Sequence, residues 1–320
     1  MVSDRGPVAA EGRVREESSA TRGDALRGVL ISLRPRQWVK NLLVFAALVF
    51  GRRLGHADEV LRVVLAFVLF CGASGAVYLI NDSIDVERDR KSPEKRRRPI
   101  ASGAVPVRMA LAAAGVLLAA TFGVAFALPS IWPGTGWGFG AILAGYFVLN
   151  LAYSFDLKGR AILDVLSIAV GFVLRVEAGG TIIGVPISTW ALLCTFFLAL
   201  FLALGKRRYE ITAFAEGEVE HRPALRHYTP YLLDLMSVVV LTAVLVTYAL
   251  YTLAPDVIQK LGTDRLYLTL PFVVYGVFRY LYLVHKHEKG GDPTETLLTD
   301  PAILVDLALW FLTAVVILYG

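Results

Sequence analysis

A chain of 320 residues with 56% hydrophobic and only 18% charged positions lies outside the composition of an ordinary soluble domain, which has about 45–50% apolar and about 25% charged residues. The formal net charge of +5 is modest, but the basic residues gather in a few polar stretches, which suits anionic lipid headgroups or phosphorylated substrates and gives no reason to expect a nucleic acid partner.

Residues up to about Leu26 are polar and low in complexity, without the apolar core of a signal peptide, and set the tail at 1–30. They read as a disordered cytoplasmic tail ahead of one transmembrane helical domain, 31–320. Apolar runs near 60–80, 104–129, 136–153, 161–183, 185–205, 231–254, 266–284 and 301–319 are each about long enough to cross a hydrocarbon core as a helix. A ninth candidate, Trp38 to Leu54, is short and carries Lys40 and Asn41 near its start. Its length alone would also fit an interfacial or re-entrant segment. Orientation favours a span: with nine crossings Lys91, Lys95, Arg96, Arg97, Arg98, Lys158, Lys206, Arg207 and Arg208 all share one side, which the positive-inside rule makes cytoplasmic. The N-terminus then lies inside and the C-terminus outside.

In chain order, RPRQWVKN (Arg34–Asn41) reads as a membrane-entry anchor, although Lys40 and Asn41 just inside the span either snorkel or face a polar cavity. The next run contains the small-residue patch Gly72–Ala76, which allows close helix packing, and it leads directly into NDSIDVERDRKSPEKRRR, Asn81–Arg98. If the helix continues, Asn81, Asp85 and Asp89 at four-residue spacing, with Asp82 three before Asp85, place their heads on roughly one face. Carboxylates stacked that way repel unless a cation sits between them, and Mg2+ is the expected ion because hard oxygen ligands and phosphates are its usual setting. The arginines that follow could hold phosphate.

Further on, YSFDLKGRAILD places Tyr153, Asp156, Lys158, Arg160 and Asp164 at a helix junction; Asp164 lies one turn inside the next run, where an unpaired acid is costly. Arg175 and Glu177 are embedded in that run and could pair. GKRRYE (Gly205–Glu210) ends the next span with three cations, and Asp300-Pro301 reads as a cap and first-turn proline before the last helix. Thr294 and Glu295 could cap a helix or touch a ligand. Cys71 and Cys194 read as buried structural thiols, and His221 and His227 lack a third ligand and receive no metal role.

Taken together these residues resemble the UbiA-type intramembrane prenyltransferase superfamily: NDSIDVERDR is similar to its first aspartate-rich motif, and YSFDLK to its tyrosine and lysine motif. RPRQWVKN, LGKRRYE and GGDPTE resemble its phosphoribosyl-transferring branch. The resemblance implies an all-α integral membrane protein of about nine transmembrane helices surrounding a polar cavity open to the cytoplasmic face. It also implies a glycosyltransferase that moves 5-phosphoribose from phosphoribosyl pyrophosphate (PRPP) to polyprenyl (decaprenyl) phosphate and releases pyrophosphate. That step starts the lipid-linked arabinose supply for cell-wall arabinogalactan. Prenyl-transferring members carry a second aspartate-rich motif where this chain reads GKRRYEITAFAEGE, so the site has one acidic cluster and a surplus of cations. On this reading Asn81, Asp82, Asp85 and Asp89 hold Mg2+, with the three aspartates catalytic. Lys40, Asn41, Arg90, Arg98, Tyr153, Lys158, Arg175, Lys206 and Arg207 bind substrate. A prenyltransferase acting on an aromatic acceptor remains the alternative, and a transporter the alternative of another class; association into homo-oligomers is compatible with either.

Overall fold

In a bilayer the backbone must satisfy its own hydrogen bonds, so apolar runs of about 20 residues wind into helices. The computed structural model describes residues 22–93, 95–213, 223–286 and 299–319. Residues 1–21, Glu216, Glu218, Glu220, His221 and the GGDPTE loop with Thr294 and Glu295 lie outside the described residues.

The elements are helices α1 (Arg22–Ser32), α2 (Ala46–Phe50), α3 (Ala57–Ile84), α4 (Val86–Lys91), α5 (Val107–Ile131), α6 (Gly138–Phe155), α7 (Leu163–Ile183), α8 (Thr189–Ala213), α9 (Pro230–Leu253), α10 (Pro255–Leu261), α11 (Leu270–Lys286) and α12 (Pro301–Tyr319). Helix α1 begins inside the stretch read as tail. Among the described residues eight helices are long and apolar enough to cross a membrane, and they coincide with the eight long apolar runs. Side chains such as Val116, Val239 and Leu312 are more than half exposed on their outer faces. That is costly in water and suited to lipid.

The ninth candidate takes another form. Pro35–Phe45 is a 3-10 helix that runs into the single turn-and-a-half of α2. Three-residue turns eclipse side chains three apart, so Asn41, Val44 and Ala47 line up as one buried edge. This edge presses on α7 where Gly179 has no side chain; any Cβ there would run into the Val44 carbonyl. We expect Gly179→Ala to destabilise the protein by about 1–3 kcal/mol through overpacking, read as a lowered midpoint in thermal unfolding in detergent. The expected small-residue contact also forms, with Gly72 of α3 against Thr121 of α5.

The core lies in two main parts that share α7. One joins the Pro35–Phe50 segment to α3, α5, α6 and α7; the other joins α7 to α8, α9, α11 and α12. The caps follow sequence. Thr229 accepts from Leu232 N ahead of Pro230, and Asp300 Oδ1 accepts from Ile303 N at 3.0 Å ahead of Pro301. Arg279 donates twice to Asp300, and these bonds hold the carboxyl below its ordinary value, so the cap stays charged.

Candidate active site

The acidic motif keeps helical hydrogen bonding through its length. Asp85 N bonds to Asn81 O at 2.9 Å and Asp89 N to Asp85 O at 2.8 Å, across a slight break at Asp85 between α3 and α4. The four-residue spacing therefore becomes a shared face, as its periodicity predicts. Asp82 and Asp89 are 4% and 2% exposed, while Asn81 and Asp85 are half-buried.

Buried carboxylates persist only when compensated, and cations from four segments do this. Arg98 Nη1 bridges Asp89 Oδ2 at 2.7 Å and Asp82 Oδ1 at 3.1 Å. Arg34 Nη2 reaches the same Asp82 oxygen at 2.6 Å, its guanidinium lying 4.7 Å from the centre of the Tyr78 ring. Lys158 Nζ lies 3.1 Å from Asp85 Oδ2, and Arg88 Nη2 3.4 Å from Asp85 Oδ1. Three carboxylates thus face four cations, a balance that leaves net positive charge for an anion.

Local structure explains how each cation arrives. After Pro93 the chain makes a short 3-10 turn, Lys95–Arg97, that returns Arg98 to the motif. Arg90 is exposed and donates to Ala101 O at 3.1 Å and to Glu87, so it braces this return from outside. Lys158 stands on the 3-10 turn Leu157–Gly159 that follows α6. Arg34 has left-handed backbone angles (φ 54, ψ 63) immediately before Pro35, which directs the chain from α1 into the first buried segment. Sequence reading accounted for Arg34 as an interfacial anchor; no local signal distinguishes it from one.

Tyr153 and Arg207 belong to a second, buried ionic cluster. Helix α8 continues past its cationic run to Ala213, which places Arg207 and Glu210 on one face. Arg207 is 0% exposed and donates to Asp164 Oδ2 at 2.5 Å, Glu210 Oε2 at 2.7 Å and Tyr153 OH at 3.2 Å. Asp164, expected to need a partner, finds it here and also accepts from Tyr228 OH at 2.8 Å. Lys206, one residue before Arg207, is half-buried.

Asn41 and Arg175 meet each other at membrane depth instead of joining the acidic motif. Arg175 donates to Asn41 Oδ1, Gly171 O and Tyr146 OH, each at 2.8 Å. Asn41 in turn donates to Cys71 Sγ and Ser74 Oγ, each at 3.3 Å. The network ties the first buried segment to α3, α6 and α7. Among the described residues no ion pair joins Arg175 to Glu177, a pairing the sequence leaves open: three neutral oxygens and the rings of Tyr146 and Phe172 surround the guanidinium. Lys40, beside Asn41, is half-buried.

No three His, Cys, Asp or Glu side chains among the described residues converge as a ready-made metal cage. The donors nevertheless fit Mg2+. Asp82 and Asp89 present hard oxygens close enough to share one cationic nitrogen, and Mg2+ is usually held by one or two carboxylates with phosphate oxygens and water completing the octahedron.

Known proteins resemble this chain in sequence and in fold. The chain is 34% identical over 307 residues to decaprenyl-phosphate phosphoribosyltransferase of Mycolicibacterium smegmatis, covering 92% of this chain and 94% of that protein. It is 36% identical over 298 residues to the protein of the same name in Corynebacterium glutamicum, covering 91% and 87%. Its fold matches the structure of a UbiA homolog from Archaeoglobus fulgidus bound to GPP and Mg2+ at TM-score 0.65 and 20% identity, over 92% of this chain and 100% of that one. The model of the UbiA prenyltransferase family matches residues 42–297, and the chain belongs to that family, an all-helical integral membrane fold.

Proposed function

We propose that this chain transfers 5-phosphoribose from PRPP to a polyprenyl phosphate such as decaprenyl phosphate, releasing pyrophosphate, at the cytoplasmic face of the cell membrane. The step would begin the supply of lipid-linked arabinose for cell-wall arabinan. The observation that carries this reading is the charge balance of the site: one acidic motif faced by Arg34, Arg88, Arg98 and Lys158. Such an excess suits the 5-phosphate and pyrophosphate of the donor together with the phosphate of the acceptor. The name carried by relatives that align with nine-tenths of the chain supports it independently.

In the reaction the bond from the anomeric carbon to pyrophosphate oxygen breaks, its electron pair leaving with pyrophosphate, and an oxygen of the acceptor phosphate forms the new bond. The carbon passes through oxocarbenium character, as in glycosyl transfer generally. The acceptor is already anionic, so no strong base is needed, and family resemblance implies inversion. Asn81, Asp82, Asp85 and Asp89 would hold Mg2+, which when bound neutralises the pyrophosphate. In this reading Lys158, Arg98 and Arg34 exchange carboxylate partners for phosphate oxygens, and Lys40, Tyr153 and Lys206 would orient the substrates. In this scheme Arg90 braces the loop that carries Arg98. Asn41 and Arg175 fix the first buried segment against α3, α6 and α7, and Arg207 fixes Tyr153.

Purified protein given PRPP labelled in its ribose phosphate, polyprenyl phosphate and Mg2+ is expected to move label into the organic phase, and excess EDTA to abolish the transfer. Prenylation of an aromatic acid from prenyl diphosphate, with no labelled lipid from PRPP, would replace this reading with the prenyltransferase one.

A further inference from the structure

Between Lys158 and α7 the backbone makes a turn that a β-branched residue resists. Ile162 sits at φ 71 and ψ −50, close to the strained form of the three-residue turn and outside the regions open to isoleucine. A conformation of this kind persists only where its surroundings over-determine it. Here one hydroxyl adds to the backbone bonds from Asp164 N to Arg160 O and from Leu166 N to Ile162 O, each at 3.0 Å. Tyr228, 5% exposed and just beyond the Pro223–His227 turn, accepts from Ile162 N at 2.6 Å and donates to Asp164 Oδ1 at 2.8 Å. Asp164 is itself fixed by Arg207, which also holds Glu210 and the Tyr153 hydroxyl. Burial, reinforced by Asp164, pushes the Tyr228 phenol far above its ordinary value, so it keeps its proton and remains a donor at any working pH.

We propose that Tyr228 is a positioning residue of the site: its hydroxyl holds the 157–164 connection in the strained turn that presents Lys158 to Asp85 and to an incoming diphosphate. The inference rests on the proposed diphosphate chemistry of the site. Pyrophosphate with Mg2+ serves as the probe because it is the leaving group whether the donor is PRPP or a prenyl diphosphate, so failure of PRPP transfer leaves the test intact.

Two measurements on the full chain in detergent decide the matter. In Tyr228→Phe, hydrogen exchange at the Ile162 amide should accelerate at least tenfold; an unchanged rate overturns the proposal. In a double-mutant cycle, Tyr228→Phe should weaken Mg2+-pyrophosphate binding about tenfold in the parent and leave it unchanged in a Lys158→Ala background. Equal losses in both backgrounds would mean that Tyr228 supports the fold without acting through Lys158. If Tyr228→Phe fails to accumulate, the binding measurement is made with Ile162→Gly in every variant, because glycine accepts the turn without the hydroxyl's help. The tenfold loss on Tyr228→Phe should then disappear, and a loss that persists overturns the proposal.

Discussion

Replacing Asp89 by Asn should lower phosphoribose transfer by about a thousandfold at saturating substrate while leaving the unfolding midpoint nearly unchanged. Asp89 is 2% exposed and shares Arg98 with Asp82. Asparagine keeps the shape and one hydrogen-bond acceptor, and Arg98 retains Asp82 as counter-charge, so the fold has little to lose. The chemistry loses an anionic ligand at the position proposed to hold the ion that neutralises pyrophosphate. Steady-state assay beside thermal unfolding separates the two effects. Turnover near that of the parent would remove the acidic motif from the reaction.

Arg207→Met should do the reverse, costing stability first. Arg207 is the counter-ion of Asp164, which is 0% exposed, and of Glu210, which is 7% exposed. Removing one member of a buried ion network strands the other charges, typically at about 3–5 kcal/mol. A large fall in the unfolding midpoint is therefore expected, with reduced accumulation in the membrane. If Arg207 instead served as a substrate clamp, the variant would keep its midpoint and show only a raised KM for PRPP.

These two residues mark how far the sequence is legible. Asp82, Asp85 and Asp89 are found by periodicity because their spacing within one helix determines their geometry. Lys158 and Tyr153 at a helix junction look like ordinary interfacial anchors, and only the resemblance of YSFDLK to a family motif marks them out; Asp300 follows from the proline after it. Arg207 looks like any cation at a helix end, since its defining partner Asp164 lies 43 residues away. Arg34 meets Asp82 across 48 residues and Arg175 meets Asn41 across 134, distances over which no local pattern carries information. The first buried segment was hidden for another reason: Pro35–Phe45 winds with three residues per turn, and an apolar stretch counted at 3.6 per turn looks only short.

The most direct test offers both donors at once. Purified protein in vesicles receives PRPP and polyprenyl phosphate together with prenyl diphosphate and an aromatic acid, and the lipid products are weighed by mass spectrometry. The account predicts polyprenyl phosphate heavier by one phosphoribosyl group, formed only with Mg2+ present and accompanied by an equal amount of pyrophosphate. A prenylated aromatic acid as the sole product would contradict it.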